Sequence, residues 1–138
     1  MKLFLDANIL VAVLNKEYPL FDTAARVVSL SSRKNITLCT SPICLAIAFY
    51  FAEKKSGAEK AKEKIQLLTE YIKIAESTSK TVQQALENPK LSDLEDGLEY
   101  YSALRAKCTH IITEDLSDFH FSKIPVVSSK EFLVELGK

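Results

Sequence analysis

Neither sign of charge is in excess in this chain: 18 Lys and Arg balance 18 Asp and Glu over 138 residues. No global field draws in a polyanion, and any contact with nucleic acid has to use a local patch. Metal ligands of the soft kind are scarce as well. His110 and His120 stand apart, and Cys39, Cys44 and Cys108 form no CxxC pair and have no histidine at zinc spacing. That argues against a zinc site and for three buried thiols in apolar surroundings. Long hydrophobic runs are also missing. The stretch KLFLDANILVAVL (2–14) is too short to cross a bilayer, is broken by Asp6 and Asn8, and carries no signal-peptide cleavage pattern. The expectation is no membrane contact and a cytoplasmic location. Repeats, low-complexity tracts and linkers are absent, so residues 1–138 read as one domain long enough for a core.

What is present is an acid where a core should be. KLFL reads as a buried parallel strand, and from Ala7 the pattern turns helical, with Leu10, Val13 and Leu14 on one side. Asp6 sits at the junction, as a helix N-cap would. Taking a carboxylate out of water costs several kcal/mol unless something compensates it. Downstream, PLFDTAARVVSLSS is an amphipathic helix and ITLCT (36–40) a second strand. Ser41 and Pro42 then start a helix, PICLAIAFYFAEKK, that is apolar nearly all round and is expected to be largely buried. A charged helix over 57–69 follows. YIKIAES reads as a strand, and a helix over roughly 79–88 ends at Asn88-Pro89. LSDLEDGLEYYSALRAK reads as a helix with Ser92 as N-cap and Glu95 completing a capping box. THIIT (109–113) is a strand, EDLSDF a loop, IPVVS a last strand and SKEFLVELG a terminal helix. Strands alternating with helices predict a Rossmann-like α/β sandwich, a parallel sheet covered on both faces.

Ligands of such sheets bind outside the carboxyl ends of the strands. Asp6 follows the first strand there, Asp115 and Asp118 follow THIIT, and Asp93 and Asp96 lie at the start of the 92–107 helix. Each has a plain structural reading, as N-cap, dipole partner or turn residue. As a set, carboxylates converging in one cleft would repel one another unless a cation neutralised them. Oxygen ligands without His or Cys suit Mg²⁺ or Mn²⁺, and such an ion can activate water and stabilise charge at an attacked phosphorus. The residues alone thus allow a metal-dependent phosphodiesterase.

FLDANIL (4–10), LSDLEDGLEYYSAL (91–104), HIITEDLSDF (110–119) and IPVVSSKEFL (124–133), in that order, resemble the PIN-domain family, which includes the VapC-like toxins. The resemblance implies a sheet of about five strands, a Mg²⁺- or Mn²⁺-dependent endoribonuclease acting on RNA, a homodimer, and an antitoxin as partner. Position by position it makes Asp6, Asp96 and Asp115 the catalytic, metal-binding acids and Asp118 an accessory metal ligand. Asn8 would hold the Asp6 carboxylate and Thr113 would line the cleft. Two departures stand out. Where the family carries a Glu in S-x-L-T-L-A-E, this chain reads SPICLAI and ends on Ile47. Where the family has Thr-Arg-Asp/Asn, it has Thr113-Glu114-Asp115, which leaves three outcomes: a weak metal site, a site in which Glu114 or Asp93 substitutes for the missing acid, or a dead one.

Two other readings compete. A PIN-like domain that binds RNA or protein without cutting is suggested by Ile47 and Glu114. A phosphotransfer or receiver-like domain is compatible with Asp6 after the first strand, although no acidic pair precedes it. The Lys-rich run 54–64 is interleaved with Glu and reads as a solvated helix face. The aromatics Phe49, Tyr50, Phe51, Tyr100 and Tyr101 read as core or dimer contacts.

Overall fold

The computed structural model describes all of residues 1–138. Five strands form one parallel sheet: β1 (Lys2–Leu5), β2 (Thr37–Thr40), β3 (Lys73–Ile74), β4 (His110–Ile112) and β5 (Val126–Val127), in the spatial order β3-β2-β1-β4-β5. Between and after them run α1 (Ala7–Leu14), α2 (Leu20–Ser29), α3 (Pro42–Ser56), α4 (Ala58–Leu68), α5 (Ser79–Glu87), α6 (Leu94–Arg105) and α7 (Ser129–Leu136). Strand β1 lies at the centre, with Phe4 beside Cys39 of β2 and Ile111 of β4. Successive residues of a strand point to opposite faces. Leu3, Phe4 and Leu5 are all inaccessible, so both faces are covered.

Chain order explains the layers. The steps β1→β2→β3 move one way across the sheet and β3→β4 returns the other way, past two strands. Right-handed crossovers then place α1 to α4 on one face and α5 and α6 on the other. The contacts agree: α1 packs on α2 and α3, α3 on α4, and α5 on α6, while α7 packs on α2. The direction of winding reverses between β1 and β4. A crevice opens at such a switch point, beyond the strands' carboxyl ends. Both α3 and α6 run antiparallel to the sheet, which brings their N-termini to that same rim.

Several expectations change in detail. Helix α6 is capped by Asp93, whose Oδ1 accepts from Glu95 N at 2.8 Å, and not by Ser92 with Glu95. A strand for YIKIAES contracts to Lys73–Ile74, because the edge of the sheet offers one neighbour only. EDLSDF contains a 3-10 turn at Leu116–Phe119 that buries Phe119. Most of α3 is not buried. Only Cys44, Ala48 and Ala52 are, a stripe of small residues at four-residue spacing. Tyr50 and Phe51 remain 51% and 44% exposed. The helix buried on nearly every side is α1, through Ala7, Ile9, Leu10, Val11 and Ala12. It lies between α2 and α3, whereas α3 uses its remaining apolar face to wall an open cleft. All three cysteines are buried and free, as expected.

Candidate functional site

Asp6 closes β1, and its own N–H donates to Ile112 O of β4 at 3.0 Å. Its carboxylate caps α1, Oδ1 accepting from Ala7 N at 2.6 Å. Oδ2 accepts from the Thr113 hydroxyl at 2.7 Å and more distantly from Asn8 Nδ2. Those three donors occupy three of the roughly four lone-pair positions of a carboxylate and leave one for a cation. Asn8 knits the rim together: its Nδ2 also donates to Asp115 Oδ2 and Thr113 Oγ1, both at 3.1 Å, and its Oδ1 accepts from Glu114 N. Thr113 Oγ1 in turn accepts from Asp115 N at 3.0 Å. On the other side, Thr40 Oγ1 donates to Leu5 O and ties β2 to the same point.

Above this rim lies a cleft of about 360 Å³, walled on one side by acids and on the other by α1, α2 and α3. Asp6, Glu17, Glu95, Asp96, Asp115 and Asp118 all line it, and no Lys or Arg does. Ile47 and Phe51, one turn apart on α3, supply the apolar wall. Like charges and burial act on these acids together. Burial, then the charges of Asp93, Asp118, Asp6 and Glu95, push Asp96 up to about 7. Glu95 is raised by burial and Asp93, and Asp118 by burial and Asp115.

Beneath Asp96, one turn further along α6, Glu99 is 1% exposed. Burial pushes its carboxyl up to about 10, helped by the Asp6 carboxylate beside it. The Cys44 thiol donates to Glu99 Oε1 at 2.6 Å, and no donor reaches Oε2. Burial and the neighbouring Glu99 raise the Cys44 thiol as well, so it is a neutral donor here. Ligand atoms of Asp6, Cys44 and Glu99 lie within 4.8 Å of one another, as do those of Glu95, Asp96 and Glu99. Ligands opposite one another on a Mg²⁺-sized ion are about 4.2 Å apart, twice the usual bond length. The carboxylate oxygens are hard donors of the kind such a cation takes and lie close to that span, and the undonated Glu99 oxygen is a polar atom that a cation would satisfy.

A model of the PIN domain family matches residues 2–117. This chain belongs to the PIN-domain family. Ribonuclease VapC1 of Aquifex aeolicus (strain VF5) is 25% identical over 135 residues, covering 95% of this chain and 92% of the relative. VapBC2 from Rickettsia felis, solved bound to a DNA fragment from its promoter, has a TM-score of 0.72 at 21% identity over 91% of this chain and 97% of that one. VapC20 of Mycobacterium tuberculosis, a toxin that cleaves the sarcin-ricin loop, has a TM-score of 0.62 at 16% identity, over 79% and 86%. The five-stranded parallel sheet is thus a PIN fold.

Within that fold, Asp6, Asp96, Asp115 and Asp118 border one cleft, with Asn8 among its lining and Thr113 buried below. Asp93 and Glu114 are engaged elsewhere. Asp93 caps α6 and lines a smaller neighbouring hollow with Asp96 and Asp118. Glu114 Oε2 accepts from Ser129 N at the start of α7. Glu95, which lines the cleft, and Glu99, which lies beside Asp6 beneath it, are further acids that sequence reasoning missed. The signal was there: Glu95, Asp96 and Glu99 stand at i, i+1 and i+4, which puts Glu99 one turn below both acids on a single helix face.

Proposed function

We propose that this protein is a metal-dependent endoribonuclease of the PIN type, the toxin of a toxin–antitoxin pair, using Mg²⁺ or Mn²⁺. One observation carries the reading: acids from the ends of β1 and β4 and from α6 converge in a cleft that holds no basic side chain. RNA could not enter it against that charge, so the site makes sense as a nuclease centre only with a cation present. Asp6, Asp96 and Asp115 would hold the ion, with Asp118 at the mouth. When bound, it would polarise phosphate and activate water. Asn8 and Thr113 keep the Asp6 and Asp115 carboxylates in fixed orientations, which spares the site a reorganisation cost when substrate arrives. Phe51 offers an exposed ring on which an unpaired base can stack. The antitoxin partner is extended from VapBC2 of Rickettsia felis and VapBC-1 of nontypeable Haemophilus influenzae, both VapBC assemblies.

The deciding experiment is cleavage of a structured RNA by chelator-treated protein with added Mn²⁺, beside the Asp6→Asn protein. An ion contributes several kcal/mol to such a reaction, and the variant should be slower by roughly 10²–10³-fold. Equal cleavage by both proteins sinks the proposal, and tight RNA binding without turnover would replace it with the binding-module reading. As a toxin, the wild type should arrest growth on induction while Asp6→Asn does not.

A further inference from the structure

Ile47 leaves α3 without the acid that the resemblance calls for, and it does so at the cleft itself, since Ile47 lines it. The rim should then be one carboxylate short. Glu114 does not fill the gap, because it faces Ser129, and Asp93 is committed to the α6 cap. A carboxylate does lie beside Asp6, from the α6 side of the rim. Glu99 of α6 belongs to both groups of potential ligands, the one with Asp6 and Cys44 and the one with Glu95 and Asp96. It is the residue common to the two. Resting on the metal-centre reading above, we infer that Glu99 is a metal ligand of this site, the carboxylate that replaces the acid missing at Ile47.

Three features of Glu99 support this role. The residue is 1% exposed, so it is not a surface acid that happens to lie nearby. Oε2 has no hydrogen-bond partner although it is fully buried, which is unfavourable for a polar atom and more so for a charged one. Retaining such a group is costly unless something occupies the other side, and here that side holds acids. Lastly, Cys44 sits in the first turn of α3 and donates to Oε1, which fixes the carboxyl and leaves Oε2 free. Helix α3 thus still supports the centre, but through a thiol that holds the carboxylate of another helix. Cys44 is the positioning residue and Glu99 the ligand, because a hard cation prefers the carboxylate oxygen to a protonated thiol.

Titration calorimetry with Mn²⁺ on the metal-free protein tests the inference without any RNA. Glu99→Gln keeps the shape and should bind Mn²⁺ at least tenfold more weakly, while circular dichroism shows it folded. Adding the acid back on α3, in the double variant Ile47→Glu with Glu99→Gln, should recover most of that loss. Asp6→Asn separates the two levels of the argument. If Asp6→Asn loses binding and Glu99→Gln binds as the wild type does, the Glu99 assignment is overturned and the metal centre stands. If the wild type itself binds no Mn²⁺, the metal centre falls and Glu99 with it. Ile47→Glu alone keeps the question open to decision should Glu99→Gln fail to fold. With Glu99 already in place it should change affinity by less than threefold, and a gain of tenfold or more would mean the seat had been lacking a ligand all along.

Discussion

A single hydroxyl holds two of the acids. Thr113 Oγ1 donates to Asp6 Oδ2 and accepts from Asp115 N, and it is wholly buried. Thr113→Val keeps the volume and removes both bonds, along with the one that Oγ1 accepts from Asn8 Nδ2. The loss leaves a buried carboxylate oxygen and a backbone N–H short of partners, which costs about 1–3 kcal/mol. In the proposed centre the same residue would orient ligands without touching the ion, and such supporting partners are typically worth 10–100-fold in metal affinity. Thr113→Val is therefore expected to weaken Mn²⁺ binding by roughly 10–100-fold in calorimetry. Thr113→Ser, which keeps the hydroxyl, should stay near the wild type.

At the scale of the element, α6 carries the site and Gly97 decides how closely it can lie on α5. A Cβ at Gly97 would meet Leu91 Cδ1 at 2.6 Å and Ala85 Cβ at 2.9 Å. Ala85 sits on α5 and is buried, with no room to retreat. Alanine is the better helix former by about 1 kcal/mol, so an exposed position would gain from the change. Here the overlap wins, since overpacking a tight contact costs about 1–3 kcal/mol. Gly97→Ala should lower the thermal midpoint. By shifting the segment that bears Asp96 and Glu99, it should also weaken Mn²⁺ binding by more than the stability loss alone implies. A midpoint above that of the wild type would show that α5 yields easily.

Over the whole molecule, a net charge of zero conceals a strongly acidic cleft. In the metal-free protein, Asp96 is held near 7 and Glu99 near 10, against ordinary values of 3.8 and 4.5. Folded protein therefore keeps protons that the unfolded chain has released. The stability linked to them is complete at pH 4 and is lost as pH rises through about 7 for Asp96 and onward for Glu99. In chelator, the thermal midpoint should fall between pH 5 and pH 8, each 1 kcal/mol being worth roughly 4 °C in a chain this long. Mn²⁺ has to displace those protons, so its stabilising shift should be larger at pH 8 than at pH 5. A midpoint in chelator that climbs over this range would contradict the arrangement of the cleft.

Much of this was legible in the sequence because it is local. The alternation of strands and helices, Asp6 at a strand-to-helix junction, and Ser41-Pro42 as a helix start all follow from propensity and capping, which act over a few residues. The acids after β1 and β4 could be placed at strand ends, while their meeting on one rim depended on the order of the strands in the sheet. Other features depended on which neighbour an element meets. Helix α3 looked buried by composition, yet only its Cys44–Ala48–Ala52 stripe is fully buried. Glu114 and Asp93 looked available, yet α7 and the α6 cap claimed them. Glu99 looked like one more acid on a charged helix, and only the approach of α3 from across the rim, with Cys44 at its first turn, made it part of the centre. The sequence by itself settles which groups a segment carries and which periodicity they follow. Which of those groups lose their water is decided by contacts between residues far apart in the chain, and so by the tertiary structure alone.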